Sequence, residues 1–421
     1  MPDIQRSTER GVQHKQRRRL AMCSGDWVLV RSHEEILATL DQHGCLNGMP
    51  FMPEMLPYCG KTLQVWRRAH KTCDTIYQSG ARRLEHTVHL AEPRSDGSGA
   101  AEACGNGNGN GGAATETRCD GSAHGGCEAA CLLYWNEAWL KPVSHATTSA
   151  DASASLPSQL DVPATPEPTP ESSGRRCTLQ QLTAATEHGG DRQKGPRYVC
   201  QATQLLVASK SMSRWDLLQY AEDYVSGNVD LKTLARGAFY RFSALAVRTS
   251  DRWGRKLGAA DAIASSLMAC YDTFQRLLPD GVPYPRRTGS IPKGERTPEP
   301  AVNAGSLHAG SWVRVKSYPD ILTTLNTENK NRGLYFDAEH VPYCGKVMRV
   351  RSLVSQILDE RTGYMLRFKI PAVILEGAYC LGAFSDKRMF CPRAVYPYWR
   401  ATWLTPLRDA QVVRPAAQDV A

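Results

Sequence analysis

The sequence predicts an α+β fold in which two small β-barrel modules, related by internal duplication, are joined by a helical segment and disordered linkers. Residues 25–65 align without a gap with residues 310–350, and 18 of these 41 positions are identical. Such a match indicates a duplication, because chance does not produce it. Short alternating apolar runs predict strands in both copies, whereas residues 199–279 have helical periodicity. A chain of 421 residues is long enough for several such units.

Composition divides the chain into seven consecutive segments. Stretches rich in Gly and Asn, or in Ser, Thr, Ala and Pro, carry too little apolar surface to build a core, and we interpret them as loop or linker. The segments are a basic disordered tail (1–23), copy one of the barrel module (24–143, with a flexible loop at 95–118), a Ser/Thr/Ala/Pro-rich linker (144–196), a helical segment (197–281), a second linker (282–308), copy two (309–407) and a C-terminal tail (408–421).

Each copy begins with the pattern of a strand followed by a short helix. The strands are predicted at 26–30 and 311–315, and the helices at 34–40 and 319–325. Short strands joined by tight turns, over about 100 residues per copy, are typical of a small, strongly bent barrel. The further predicted strands lie at 61–67, 83–90, 346–353, 365–368 and 372–375.

The middle of the chain contains three helical patterns, at 215–225, 231–247 and 258–278. Ser213 and Asp230 are predicted to cap the first two, because short polar side chains accept hydrogen bonds from the free N–H groups of a first turn. The second pattern also carries basic side chains. A basic amphipathic helix can lie on a membrane surface, but we interpret this one as a packed helix with a solvated face.

The sequence GDWVLV at 25–30 resembles the first strand of SH3-like barrels, including the KOW type found in nucleic-acid-binding proteins. The two copies, together with the helices around Trp215, resemble an uncharacterised bacterial family of duplicated SH3-like (KOW-type) β-barrel modules with repeated cysteines. That family has no assigned activity. The resemblance therefore implies a fold but no catalytic residue, and fold alone does not determine function.

Cysteines recur at equivalent places in the two copies. The chain has 14 cysteines, and three pairs correspond: Cys59 with Cys344, Cys119 with Cys380, and Cys127 with Cys391. Thiolates bind zinc and iron strongly, and a bound ion can stabilise a fold whose core is small. The predicted metal ligands are Cys59, Cys119, Cys127, Cys131, His124 and Cys73 in copy one, and Cys344, Cys380 and Cys391 in copy two. In copy two either His340, Asp359 or water would be the fourth ligand, or the site has been lost.

Other interpretations of these cysteines remain open at this point. Reduced cysteine also serves as a small buried side chain inside a barrel. The run from Cys119 to His124, CDGSAH, resembles the CDGSH iron–sulfur signature, with one extra residue before the histidine and no upstream C-x-C. Cys127 and Cys131 are four residues apart, so redox chemistry at this pair is a third possibility, although a disulfide within one helix turn would be strained.

Two further features recur in both copies. Trp135 and Trp139 match Trp399 and Trp403, and their spacing predicts two indoles on one helix face. We expect them to close the end of each barrel, although exposed indoles could stack on bases or on a peptide.

A glutamate recurs as Glu54 and Glu339, which suggests either hydrogen bonds to backbone N–H groups or a catalytic acid. No second carboxylate recurs nearby, so paired-carboxylate catalysis has no support. No phosphate-binding loop, nucleophile elbow or dinucleotide fingerprint is present, and the sequence identifies no catalytic residue.

Charge and hydropathy limit the cellular location and the partners that we expect for this protein. The net charge is +9, and residues 1–20 hold six basic but only two acidic side chains, so this tail could contact nucleic acid or an anionic membrane. We find no signal-peptide pattern and no run of 18 apolar residues, and therefore expect a cytoplasmic protein with reduced thiols and no transmembrane segment.

The favoured hypothesis is a duplicated β-barrel binding or scaffold protein of the cytosol, stapled by zinc or iron. The alternatives are a metal-dependent enzyme, or enzyme subunit, that uses the Cys/His site of copy one, and a nucleic-acid-binding protein. The partner would be another protein or an anionic polymer.

Overall fold

The computed structural model describes residues 22–92, 115–143, 177–213, 215–257, 260–277, 307–384 and 387–407. Most of the predicted loop at 95–118, the first part of the predicted linker at 144–196, nearly all of the linker at 282–308, nearly all of the tail at 1–23 and the whole tail at 408–421 lie outside these residues. The predictions made for those stretches are therefore not tested by the structure.

The fold mixes helices with several small antiparallel sheets. The helices are α1 His33–Leu37, α2 Leu179–Ala184, α3 Gln201–Ala208, α4 Leu218–Val225, α5 Leu231–Leu257, α6 Ala260–Arg276 and α7 Tyr318–Leu322, with 3-10 turns at Pro53–Tyr58, Glu137–Trp139, Val341–Tyr343 and Ala401–Trp403. None of the described helices combines the length and the apolar composition that crossing a bilayer requires.

The strands are short, apart from one long hairpin in copy two. They are β1 Trp27–Val30, β2 Cys45–Leu46, β3 Met49–Pro50, β4 Thr62–Arg68, β5 Lys71–Cys73, β6 Ala81–Arg83, β7 Thr87–Glu92, β8 Thr115–Glu116, β9 Trp135–Asn136, β10 Leu140–Pro142, β11 Glu187–Asp191, β12 Gly195–Tyr198, β13 Lys210–Ser211, β14 Trp312–Val315, β15 Lys330–Asn331, β16 Leu334–Tyr335, β17 Val347–Leu358, β18 Met365–Leu375 and β19 Leu404–Pro406.

The opening strand has the same neighbours in both copies. β1 pairs with β4 and β10, and Val28 lies opposite Leu63 on one side and Pro142 on the other. β14 pairs with β17 and β19, and Val313 lies opposite Met348 and Pro406. The alternating apolar runs at 26–30 and 311–315 therefore form central strands, each paired on both sides. One face of each strand packs into a core, which explains the alternation.

The sheets differ beyond this shared centre. In copy one the strand order is β10-β1-β4-β7-β8, with β9 also paired to β7, whereas copy two has the order β18-β17-β14-β19. The predicted strand at 83–90 is divided into β6 and β7. The strands predicted at 365–368 and 372–375 are instead one strand, β18, which pairs with β17 through a bulged register.

The prediction that Trp135 and Trp139 share a helix face is wrong. Trp135 lies in β9, opposite Val88, and Trp139 ends the 3-10 turn that Asn136 caps through its side chain. Both indoles are nevertheless completely buried, as the core interpretation expects. A four-residue spacing therefore brings two side chains into one core here through a strand followed by a tight turn.

The indole of each second tryptophan makes an equivalent hydrogen bond in the two copies. Trp139 Nε1 donates to Thr39 Oγ1 at 3.1 Å, and Trp403 Nε1 donates to Thr324 Oγ1 at 2.9 Å. Each threonine closely follows the short helix of its copy. The bond thus connects the end of the module to its beginning.

The predicted linker at 144–196 is not structureless throughout. Its last part forms α2 and the hairpin of β11 and β12, and Thr178 and Gln181 make a capping box at the start of α2. Leu182 is buried and its Cδ1 would lie 2.9 Å from a Cβ on Gly44, so α2 packs against copy one. The average composition of the stretch concealed this short amphipathic segment.

The helical segment follows the prediction with shifted ends. Asp230 caps α5 through a hydrogen bond from Thr233 N to its Oδ1, 2.7 Å long, as predicted. The first helix begins at Leu218, three residues later than expected, since Asp216 accepts from Leu218 N in the turn before it. α5 and α6 then pack on each other through stacked Phe239 and Tyr271 rings.

The two copies contact each other directly. Leu358, at the end of β17, is buried in the same apolar cluster as the core of copy one. Glu128 of copy one accepts backbone hydrogen bonds from Ser355 and Gln356, and Leu358 N donates to Cys127 Sγ at 3.3 Å. β17 therefore supports the segment of copy one that carries the predicted ligands.

Candidate functional site

The segment 119–127, called here the cysteine loop, turns back on itself so that its two ends lie close. His124 N and Gly126 N both donate to Gly121 O at 3.0 Å, and Cys127 N donates to His124 O. Gly121 has φ +74, and a Cβ on it would stand 2.1 Å from Cys127 O. Only glycine fits at this turn, because any side chain would collide with the returning backbone.

The side chain of Glu54 binds this loop. Glu54 lies in the 3-10 turn Pro53–Tyr58 and is buried. Oε1 accepts from Ala123 N at 3.1 Å, lies 2.6 Å from His124 Nδ1 and is 3.7 Å from Cys119 Sγ. One ligand atom from each of Glu54, Cys119 and His124 lies within 4.8 Å of the other two, and the described residues contain no other such group of three.

The second imidazole nitrogen has a partner of the kind that metal-binding histidines use. His124 Nε2 lies 3.0 Å from Val199 O, just before α3. A histidine that binds a metal through one nitrogen commonly donates its other N–H to a carbonyl, which fixes the ring. The two ring nitrogens thus each lie against an oxygen atom, Nδ1 against the Glu54 carboxylate and Nε2 against the Val199 carbonyl.

Glu54 provides an ionised oxygen that has no partner among the described residues. Burial alone would raise the pKa of Glu54, but the hydrogen bond and charge of His124, with the Ala123 N–H, hold that pKa below its usual value. Within the described part of the chain, its Oε2 is buried without any hydrogen bond. Since a buried carboxylate oxygen without a partner is costly, a cation at this position would supply what the protein does not.

The thiol of Cys119 is a ligand that must lose a proton first. Burial, followed by the nearby charge of Glu54, raises the pKa of Cys119 far above that of a free thiol. A protonated thiol is a poor ligand, so metal binding here would release a proton and depend on pH. The carboxylate, imidazole and thiol of this group fit a zinc or iron(II) ion.

A cavity of about 420 Å³ adjoins the Glu–Cys–His group. Cys119 and His124 line it together with three other thiols, those of Cys127, Cys131 and Cys200. Its opposite wall comes from copy two and includes Glu360, Arg393 and Tyr398. Two of the candidate ligands, Cys119 and His124, therefore face a cavity whose lining includes residues of both copies.

The other predicted ligands of copy one do not join the group. Cys59 follows the 3-10 turn and donates its N–H to Leu56 O, and burial raises its pKa. The sulfur of Cys127 accepts from Leu358 N, while burial raises the pKa of Cys131 to about 12. Cys73 lies in β5, where it contacts copy two. The structure thus brings together Cys119 and His124 but not the triple of Cys59, Cys119 and Cys127.

Copy two has the same glutamate contact without the same ligand set. Glu339 accepts from Leu381 N at 3.1 Å and Phe384 N at 2.8 Å, in the loop that follows Cys380. Phe384 takes the place of Ala123, and the next residue is Ser385 where copy one has His124. The imidazole ligand is therefore missing from the sequence of copy two.

The remaining copy-two residues have other contacts. His340 Nδ1 pairs with Asp337 at 2.9 Å, and Asp359 Oδ2 accepts from Thr362 in a turn. Cys344 Sγ lies 3.9 Å from the His340 carbonyl oxygen, and the buried Cys391 donates its N–H to Arg388 O. Within 307–384 and 387–407 no three potential ligand atoms come as close together as those of copy one.

Glu54 is a candidate ligand that the recurrence of cysteines did not reveal. Its recurrence as Glu339 predicted hydrogen bonds to backbone N–H groups, and both residues make them. The N–H groups that donate to Glu54 and Glu339 belong to the segment after the second recurring cysteine, which is far from the glutamate in sequence. Recurrence of an acidic residue was the available signal.

Comparisons of this chain with protein-family models, with curated proteins and with solved structures find no match. The resemblance to duplicated SH3-like modules therefore stays a prediction, as does the likeness to the CDGSH signature.

Proposed function

We propose that this chain is a metal-binding protein that holds one zinc or iron ion at Glu54, Cys119 and His124. The observation that carries the proposal is the closeness of the three ligand atoms, combined with a buried Glu54 oxygen that has no hydrogen-bond partner among the described residues. An N, O and S donor set of this kind suits zinc or iron(II), whereas Mg²⁺ and Ca²⁺ prefer oxygen alone.

The proposed ion acts as a staple within a binding or scaffold protein. Its ligands come from the 3-10 turn before β4 and from the cysteine loop, and the histidine is fixed by the carbonyl before α3. These segments are far apart in sequence, so one ion would join them at a single point. Metal binding to such a site contributes directly to folding.

We further propose that the two copies are SH3-like modules of common origin. Three equivalent features support this: the central strands β1 and β14 with matching neighbours, the indole-to-threonine bonds, and serine caps on α1 and α7. Copy two keeps the glutamate contact while lacking the histidine. In this proposal the metal site belongs to copy one.

Metal analysis of the full-length protein tests the proposal. We expect about one zinc or iron ion per chain after purification or after dialysis against zinc, and none in Cys119→Ser or His124→Ala. Cys59→Ser is the matched control, because this thiol also recurs in copy two but lies outside the Glu–Cys–His group. Metal-free wild-type protein, or Cys119→Ser protein that retains its ion, would contradict the proposal.

A second candidate function, a metal-dependent enzyme, is favoured by the cavity beside the ligands. Three protein ligands leave one position of a tetrahedral ion, and catalytic zinc sites keep such a position open. Cobalt-substituted protein distinguishes the two functions through its visible spectrum. A spectrum that changes on adding azide indicates an open position, whereas an unchanged one indicates that Cys127, Cys200 or another protein group completes a purely structural site.

A further inference from the structure

The exposed side of helix α5 is apolar rather than polar. Leu231, Phe242 and Leu245 are 65%, 71% and 54% exposed, and Ala235 and Ala238 between them are exposed as well. Because each residue turns an α-helix by about 100°, these five side chains lie within about 80° of one another around the helix axis. They form one continuous apolar stripe on the outside of the protein, called here the α5 face.

The opposite side of α5 is already packed against the rest of the chain. Tyr240 and Val247 are buried, and the Tyr240 ring meets the ring of Phe384 in copy two edge to face at 5.2 Å. A Cβ on Gly237 would stand 2.3 Å from the ring of Phe390, so the helix backbone approaches copy two closely. A helix held in this way normally turns polar residues outward, so the apolar α5 face needs another explanation.

Basic residues border the α5 face on both sides. Measured around the helix from Leu231, Lys232 and Arg236 lie about 100° and 140° away in one direction, and Arg241 lies about 80° away in the other. The sequence of α5 contains no acidic residue between Leu231 and Val247. Long basic side chains beside an apolar stripe can reach anionic head groups while the stripe itself leaves water.

Aromatic side chains extend this surface beyond both borders. On one side, the rings of Phe239 and Phe274 pack on each other at 4.8 Å, and Phe274 of α6 is 47% exposed. On the other side, the guanidinium of Arg241 lies 5.9 Å from the ring of Trp215, which is 67% exposed. Tryptophan is enriched where water meets a membrane, because its ring has an apolar body and a polar N–H.

We propose that the α5 face binds the surface of a lipid bilayer that contains anionic lipids, with α5 lying along that surface. The apolar stripe enters the boundary between head groups and acyl chains, and the bordering basic side chains pair with the anionic head groups. The binding uses no residue of the Glu54, Cys119 and His124 group, so it does not depend on the proposed metal ion.

A second copy of this chain fits the α5 face less well than a bilayer does. In a symmetric pair the same surface meets itself, so Lys232, Arg236 and Arg241 of one chain would approach the same residues of the other. The sequence of α5 offers no acidic residue up to Val247 to balance them, and Asp272 of α6 is buried. An anionic bilayer supplies the missing opposite charge.

Cosedimentation of the full-length protein with lipid vesicles tests this inference. We expect binding to phosphatidylcholine vesicles that contain about 30% phosphatidylserine, weaker binding to pure phosphatidylcholine, and a decrease as salt is added. Phe242→Glu should weaken binding at least about tenfold, because a large apolar side chain is lost from the stripe. Val207→Glu is the matched control: Val207 of α3 is also 71% exposed but lies outside the α5 face.

Lys232→Glu tests the contribution of charge separately. It should weaken binding roughly fivefold or more. Lys369→Glu, at an exposed lysine of β18, changes the net charge equally and should have little effect. Both lysines are exposed, so this comparison decides the inference even if Phe242→Glu fails to fold.

Three results would overturn the inference. The first is wild-type protein that does not bind the anionic vesicles. The second is equal binding by Phe242→Glu and wild type, or equal losses in Lys232→Glu and Lys369→Glu, since binding would then occur elsewhere on the chain. The third is a wild-type dimer, seen by analytical ultracentrifugation, that Phe242→Glu converts into a monomer, which would assign the α5 face to a second copy.

Discussion

Glu54 connects the electrostatics of the candidate site to its stability. The pKa of this carboxyl is lowered in the folded chain, so its ion pair with His124 stabilises the fold above the pKa of an unfolded glutamate, about 4.3. That contribution disappears as the pH falls through the lower, folded-state pKa. The buried pair therefore makes stability depend on pH even in protein without metal.

Glu54→Gln should remove this dependence. In chelator-treated protein we expect the variant to unfold with a free energy lower by about 1.5–3 kcal/mol at neutral pH, because a charge-assisted hydrogen bond is lost. The difference from wild type should shrink below about pH 4. Urea unfolding measured across this range checks it. A difference that stays constant down to about pH 3 would show that the carboxylate charge is not involved.

Sequence reasoning at this scale found two of the three residues in the group. Recurrence singled out Cys119, and proximity in sequence added His124. Glu54 was noticed as a repeated residue but not as a ligand, because 65 positions separate it from Cys119 and only the folded chain shows that they meet. The recurring cysteines predicted thiol ligands, whereas the recurring glutamate did not predict a carboxylate ligand.

At the scale of elements, the tight turn of the cysteine loop depends on glycine for two separate reasons. Gly121 has a positive φ, and its position also lies against the Cys127 backbone. Gly60 has a similar φ of +77, but a Cβ there would meet no atom of the described residues within 4 Å. Substitutions at the two glycines therefore separate the free-energy cost of the left-handed backbone from the free-energy cost of a steric clash.

Gly121→Ala should abolish metal binding, whereas Gly60→Ala should not. Each substitution incurs roughly 1–2 kcal/mol for the left-handed backbone. Only the first also drives the cysteine loop away from Glu54, since its Cβ would stand 2.1 Å from a carbonyl oxygen. Metal content and thermal unfolding of both variants check the expectation. Equal metal content in the two would mean that the loop tolerates the displacement.

Helix α4 is attached to copy one by buried charges. Lys71 Nζ of β5 lies 2.5 Å from Asp223 Oδ2, and His70 Nε2 lies 3.2 Å from Asp223 Oδ1. The side chains of Lys71 and Asp223 are 1% and 0% exposed. Removing one member of such a pair leaves the other charged and buried, which is more costly than losing an exposed ion pair.

Asp223→Ala should lower the free energy of unfolding by about 3–5 kcal/mol. Glu222→Ala, one residue away on the same helix, is the control. Its carboxylate pairs with Arg83 and Arg68 and is 30% exposed to solvent, so we expect a smaller loss, about 1 kcal/mol. Chemical denaturation of both variants gives the comparison. Similar losses would show that burial does not determine how α4 is held.

The prediction of elements succeeded where alternation was strong and failed where two patterns overlap. The runs that became β1 and β14 alternate clearly and form central strands. The spacing of Trp135 and Trp139 fits a helix equally well, and only the pairing of β9 with β7 decides against it. In the predicted linker, the capping box at Thr178 was the local signal of α2. The low-complexity residues that precede this box obscured the signal.

At the scale of the whole molecule, the two copies share a core rather than standing apart. Leu358 belongs to β17 of copy two, but it packs into the apolar cluster of copy one. Sequence separation concealed this contact, because each copy has a complete strand pattern of its own and nothing local indicates which face is shared. A substitution in copy two should consequently destabilise copy one as well.

Leu358→Ala tests this coupling, and Leu375→Ala is the matched control because that leucine is buried in the core of copy two itself. Each should cost about 2–5 kcal/mol, the usual effect of truncating a buried leucine. Hydrogen exchange shows which strands each substitution destabilises. We expect Leu358→Ala to speed exchange in β1 and β4, and Leu375→Ala to act first in β17 and β18.

The coupling between the copies also bears on how the chain unfolds. If the copies are coupled through Leu358, its truncation loosens strands far from it in sequence, and the cysteine loop, whose Cys127 sulfur accepts from Leu358 N, loosens with them. Metal affinity should then fall in Leu358→Ala but not in Leu375→Ala. Unchanged exchange in β1 and β4 would instead mean that copy one keeps its core without copy two, and the interface between them would be a contact between independent units.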